Sequence, residues 1–298
     1  MRSCGSKSRG ITSRGIKSRV FNPYTTALLL LLCMFAGLVP AKEPAAGPAL
    51  YNVLSDDDEA AFGRAAAARL AKDMPMLDDP VIDAYLTTVG TDLAKNSRRN
   101  NITFHFRVID SPQVNSFAVP GGYIFVTRGL LDFLQSESEL AGVLAHEISH
   151  VVARHGSDEL SRQLIAAKLA TQGARLVGVS DDSALKMLDT VGGPVAAFVQ
   201  RPLNQVQELE ADRLGVYNMA RAGWNPNGYQ RALERYRDAG SSTLLSQLLS
   251  NHPPVQVRIE AVKLEIIDVG NTNTLLNDSI FFQAAKARML LLPAPKGK

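Results

Sequence analysis

One five-residue string constrains this chain more than anything else in it: His146-Glu147-Ile148-Ser149-His150, an H-E-x-x-H pattern inside an apolar stretch of helical character. On an α-helix, residues four apart are separated by about 40° around the axis and about 6 Å along it. Both imidazoles therefore project from one face, and their ring nitrogens can meet at one metal ion. Glu147 stands about 100° round from His146, close enough to act as a base toward a water at that metal without coordinating it. With five histidines in 298 residues, chance delivers the pattern on the order of once in a few hundred such chains.

The surroundings support a helix. Ser136 and Glu139 have capping-box spacing just before the string, and Gly156 supplies a stop after it. Leu140, Leu144, Ile148 and Val151 recur at helical spacing and give the helix a buried face beside the metal-binding one. His155 falls five residues past His150, about 140° away from it, so it cannot share the same metal from this helix. It is expected as a helix-end histidine near the negative end of the dipole.

A catalytic zinc takes three protein ligands and leaves a position for water, so one more ligand must come from elsewhere in the chain. The best candidate is Glu208. Residues 205–215 read as a second helix that sets Glu208 and Asp212 on one face at i, i+4, with Glu210 pointing elsewhere. Glu208 could close the site, while Asp212, one turn on, could accept the free ring N–H of a ligating histidine and fix its tautomer. Acidic pairs are common on solvated helix faces. The histidine pair upstream is what singles this one out.

Two further pieces flank these motifs: N-S-F-A-V-P-G-G-Y-I-F-V-T over residues 115–127, and His252-Pro253-Pro254 with Arg258 downstream. In this order the four pieces resemble the M48 metallopeptidases, a family with membrane-bound and soluble periplasmic members, and the resemblance covers roughly residues 50–265. It implies a zincin-like fold in which His146, His150 and Glu208 bind one zinc ion per subunit and Glu147 is the base. It also implies substrates among misfolded or misassembled envelope or outer-membrane proteins. His252 has three open roles: a loop histidine, a donor to the oxyanion of the tetrahedral intermediate, or a fourth metal ligand in a resting state. Arg258 supports either of the last two arrangements or forms a structural ion pair.

The remaining elements are coarser. Residues 103–109, Ser116–Val119 and Tyr123–Thr127 are rich in β-formers, with Pro120-Gly121-Gly122 as a turn, and predict one small antiparallel sheet. An edge strand of such a sheet can hold an extended peptide by its main chain. Helices are expected from a Ser55 cap to about Ala71, over residues 80–95, and over residues 279–292. The class is therefore α+β, predominantly helical. Between the two metal motifs, the glycines of residues 176–196 suggest a lid over the cleft.

The first 24 residues carry six Lys or Arg and no acid, and an apolar run over residues 27–41 comes next, ending Val39-Pro40-Ala41. This reads as a signal peptide over residues 1–41, directing the chain to the periplasm. A membrane anchor over residues 27–41 and a mitochondrial transit peptide are the alternatives. Past residue 41, 26 basic residues face 29 acidic ones, a net charge of −3, so the basic balance of the whole chain gives no argument for nucleic acid. Cys4 and Cys33 both lie in the leader. Beyond residue 41 the chain can hold neither a disulfide nor a thiol nucleophile. The expected organisation is the leader, a flexible lead-in over residues 42–54, a peptidase domain over residues 55–270 and a helical tail over residues 271–298. Peripheral contact with a membrane is left open. The competing reading is a zinc-stabilised chaperone or assembly factor for outer-membrane proteins with little or latent proteolysis.

Overall fold

The computed structural model describes residues 52–171, 203–240, 244–245 and 254–295, and for residues 167–171 the backbone alone. Its first helix, α1 (Asp56–Asp73), is set by Ser55, whose hydroxyl accepts the Asp58 N–H while the Asp58 carboxylate accepts the Ser55 N–H. Helix α2 (Pro80–Lys95) has Asp79 as its cap and Pro80 at its first position, where the missing N–H costs nothing. Ile82, Leu86, Val89 and Leu93 form its buried stripe.

Three strands come next, β1 (His105–Ile109), β2 (Ser116–Val119) and β3 (Tyr123–Thr127), in the order β1-β3-β2. β2 and β3 are antiparallel, as the Pro-Gly-Gly turn demands, but β1 and β3 run parallel. The sheet is therefore mixed where the sequence suggested a wholly antiparallel one. β3 has slotted between β1 and β2, so the strand next to β1 in sequence is not its neighbour in space. Gly121 and Gly122 have φ of 87° and 91°, and a Cβ on either would lie within 2.5 Å of a carbonyl oxygen, of Glu59 or of Thr103. Only glycine fits this turn.

A short helix, α3 (Arg128–Phe133), leads to α4 (Glu137–Val152), which carries the histidines. Ser136 caps α4 by accepting the Glu139 N–H, as its spacing predicts; the Glu139 carboxylate reaches one residue further back, to the Gln135 N–H. The helix ends at Val152, not at Gly156, because Arg154 turns the chain with φ of 62°. Helix α5 (His155–Thr171) starts immediately. His155 therefore sits at the positive end of a new helix, and the dipole interaction expected for it does not arise.

Helices α6 (Gln205–Arg221), α7 (Asn227–Ala239), α8 (Val255–Val269) and α9 (Ile280–Leu290) complete the described elements. α4 packs against α6 and α7, which both pack on α8, and it is buried from Glu137 to Val151. A helix enclosed on every side needs a partner for each of its polar groups. At its N-terminus Glu137 accepts from Tyr85, Trp224 and Ser279, and Glu139 pairs with Arg235 at 3.1 Å. Two glycines let the helices approach closely. A Cβ on Gly142 would lie 2.5 Å from that of Tyr229, and one on Gly215 would lie 3.2 Å from the His146 nitrogen.

The C-terminal stretch is tied to the same body. α9 packs on α2 and α3, Arg288 pairs with Asp79 at 2.9 Å, and the buried Arg128 guanidinium donates to the Met289 carbonyl at 2.9 Å. Among the described residues no helix is long and apolar enough to cross a membrane.

Candidate metal centre

Helix α4 presents His146 and His150 at i, i+4, and the close passage of α6 at Gly215 brings Glu208 over both. The two Nε2 atoms are 3.0 Å apart, and they lie 3.6 Å and 3.5 Å from the Glu208 carboxylate oxygens. All three side chains are buried. In a tetrahedral zinc site with bonds near 2.1 Å, ligand atoms stand about 3.4 Å from one another. The triangle has that size.

The protons agree with the spacing. His146 Nδ1 is 2.8 Å from Asp212 Oδ1 and donates to it, which leaves the Nε2 lone pair directed at the triangle. His150 Nδ1 is 2.8 Å from His155 Nδ1. When His150 is the donor there, its Nε2 too presents a lone pair. Two imidazole lone pairs and a carboxylate converging in a buried space repel one another unless a cation lies between them. The residues present fit a divalent metal.

Asp212 is held from three helices. Its Oδ1 accepts from Tyr229 at 2.6 Å and from Arg258 at 2.7 Å, and its Oδ2 accepts from Arg258 Nε at 2.9 Å. Burial alone would raise this carboxyl, but the Arg258 charge and the donors on it outweigh burial and hold it well below the usual carboxylate range. Burial, together with the Asp212 charge and against the pull of Arg258, pushes the Tyr229 hydroxyl well above its ordinary value. It stays a donor. Of the roles open to Arg258, the structure supports the ion pair.

Glu147 accepts from the Ser116 hydroxyl at 2.7 Å. Ser116 begins β2, the strand at one edge of the sheet, and Asn115, Ser116 and Val119 line a cleft together with Glu147, His150 and Glu208. Among the described residues β2 has a strand on one side only. Glu147, two of the three converging side chains and a strand edge thus share one opening.

The sequence-derived residues His146, Glu147, His150, Glu208, Asp212 and Arg258 all come together here. His252 lies outside the described residues, as do the lid segment over residues 176–196 and the leader with Cys4 and Cys33. Tyr229, Ser116 and the pairing of His155 with Glu210 were missed. Ser116 stands in the strand motif, where alternation could have aimed it at the helix. Tyr229 is on another helix and has no spacing signal. Glu210, expected off the face of Glu208 and Asp212, is not part of the triangle and meets His155 Nε2 at 3.4 Å.

A histidine pair and a glutamate on one helix, met by an acidic side chain from a later helix, form a donor set of the kind a metallopeptidase centre uses. The sequence profile of peptidase family M48 matches residues 80–266, and the chain belongs to that family. It is 32% identical over 227 residues to the beta-barrel assembly-enhancing protease of Yersinia pestis, covering 73% of this chain and 46% of that protein. The protein of the same name from Escherichia coli is 29% identical over 253 residues, 83% of this chain and 51% of that one. The mitochondrial metalloendopeptidase OMA1 of Arabidopsis thaliana is 31% identical over 183 residues, covering 61% of this chain and 36% of that protein. The chain spans about half the length of the beta-barrel assembly-enhancing proteases it matches.

Proposed function

We propose that this chain is a zinc-dependent endopeptidase that hydrolyses misfolded or misassembled proteins of the cell envelope. The observation that carries the activity is the convergence of two Nε2 lone pairs and the Glu208 carboxylate beside Glu147, at a cleft walled by a strand edge. Two imidazoles and one carboxylate suit zinc. Bound there, zinc would lower the pKa of a water from about 15.7 toward about 7 and polarise the scissile carbonyl.

The chain's own residues do the rest. Glu147 accepts the proton of the attacking water on its carboxylate and returns it to the leaving amine. The Ser116 hydroxyl, bonded to Oε1, keeps that carboxylate oriented. Asp212 fixes the His146 ring, and Arg258 and Tyr229 fix Asp212. An extended peptide lies along β2 as an added strand, bound through backbone groups, which requires no particular side-chain sequence and suits unfolded substrates.

The substrate class and the compartment rest on the relatives' names and on the leader. Proteins called beta-barrel assembly-enhancing proteases support outer-membrane proteins as clients. Cleavage after Ala41 would deliver the chain to the periplasm; the mitochondrial relative keeps the transit-peptide alternative in view. Metal analysis of the purified protein with casein cleavage by wild type and Glu147→Gln tests the activity: zinc near one per chain, with turnover lost only in the variant. Unchanged turnover in Glu147→Gln would overturn the mechanism. Restoration of envelope function in cells by that same variant would favour the chaperone reading. The two roles for His252 differ in sign, since replacing it raises activity if it blocks the metal and lowers it if it serves the oxyanion.

A further inference from the structure

Arg154 is the one non-glycine residue with a left-handed backbone among those described, at φ of 62°. An arginine enters that region only when its surroundings hold it there. They do so with two bonds of 2.7 Å, from Nε to Glu59 and from Nη2 to the Leu54 carbonyl; Glu59, itself buried, is paired on its other oxygen with Arg99 at 2.6 Å. The consequence is a sharp elbow between α4 and α5. It folds His155 back against the helix it has just left.

His155 is buried, and its Nδ1 lies 2.8 Å from Nδ1 of His150. One proton is shared across that contact, so one ring donates and the other accepts. If the Nε2 of His150 is to present a lone pair beside His146 and Glu208, the proton belongs on Nδ1 of His150. His155 then accepts at Nδ1 and carries its own proton on Nε2, facing Glu210 Oε2 at 3.4 Å. Glu210 sits two residues beyond Glu208 on α6, so the chain of contacts leaves one ligand and returns to the helix that bears another.

We propose that His155 is a positioning residue for the metal centre: it accepts the Nδ1–H of His150, fixes that ring's tautomer and angle, and is itself anchored by Glu210. This rests on the reading of His146, His150 and Glu208 as metal ligands. His155 takes no place on the metal, because the nitrogen it offers faces the far side of the His150 ring.

The test uses the full chain and zinc. Long-range proton–nitrogen spectra of zinc-loaded, 15N-histidine-labelled wild type should show His150 protonated at Nδ1 and His155 protonated at Nε2 alone. A His155 protonated at Nδ1 overturns the proposal without any variant. Zinc affinity, read by competition with a chelator, should fall about 10- to 100-fold in His155→Phe, which fills the space without an acceptor. His155→Gln, whose side-chain carbonyl can accept, should stay within a few-fold of wild type. Equal affinity in wild type and His155→Phe sinks the role of His155 alone, whereas a wild type that binds no zinc sinks the metal centre itself. If His155→Phe does not fold, the tautomer spectrum decides.

Discussion

Behind His146 stands a charged cluster; behind His150 stands another imidazole. The first ring donates to Asp212, a buried carboxylate that also collects Arg258 from α8 and Tyr229 from α7. The second meets His155 from the neighbouring elbow, with Glu210 beyond it. The helix explains why the two Nδ1 atoms meet different neighbours. Four residues separate them by about 6 Å along the axis, so each faces a different neighbour. Asp212 is buried on all sides, and in the first arm the Arg258 cation offsets its charge. The second arm ends at Glu210, whose side chain keeps 16% of its surface in solvent, and it needs no buried counter-ion.

The variant with the largest expected effect spares both arms. Glu147→Gln should cut peptide hydrolysis by about 10²- to 10⁴-fold while metal content, measured on the purified protein, stays at the wild-type value. Loss of the metal in that variant would make Glu147 part of the scaffold and blur the contrast between base and support. Arg258→Met attacks the charged arm directly. Leaving Asp212 buried without its cation should lower the unfolding free energy by about 3–5 kcal/mol in urea titrations. A loss below about 1 kcal/mol would mean that this arm does not depend on charge.

Smaller effects test the packing that lets the arms meet. Gly142→Ala puts a methyl group against Tyr229, and overpacking of this kind costs about 1–3 kcal/mol. Zinc affinity should fall with stability, because Tyr229 is pushed off Asp212; a variant as stable as wild type would show that α4 and α7 can separate freely. Tyr229→Phe removes one of the donors on Asp212 and should cost about 1 kcal/mol, read in the same urea titrations. An effect as large as that of Arg258→Met would reverse the ranking within the arm.

What was legible in the sequence was local. Ser116–Val119, Tyr123–Thr127 and Pro80–Lys95 appear with the bounds their pattern indicates, because alternation, a proline at the first helical turn and a glycine turn act over a few residues. His146, Glu147 and His150, and then Glu208 with Asp212, were readable for the same reason: i, i+4 spacing is a property of one helix. The parallel pairing of β1 with β3 depends on how the sheet packs on α1, α2 and α4, and no stretch of seven residues encodes it. The end of α4 was misplaced because its stop is an arginine held by Glu59, some 95 residues earlier in the chain, where a glycine was the expected signal. Tyr229 and His155 reach the site from separate helices. Arg258 was found only through the family motif, and its contact with Asp212 needed the fold.

On the proposed function, the shared opening beside β2 would order two events. His150, Glu208 and Glu147 line this cleft together with Ser116. On the proposed reading, a metal ion that reaches the folded chain by this cleft passes the wall along which the peptide lies. On that reading loading would precede docking, and a peptide along β2 would cover the metal. Chelators would strip the resting protein faster than the working one, so protection against metal loss becomes a gauge of cleft occupancy that needs no cleavage to read.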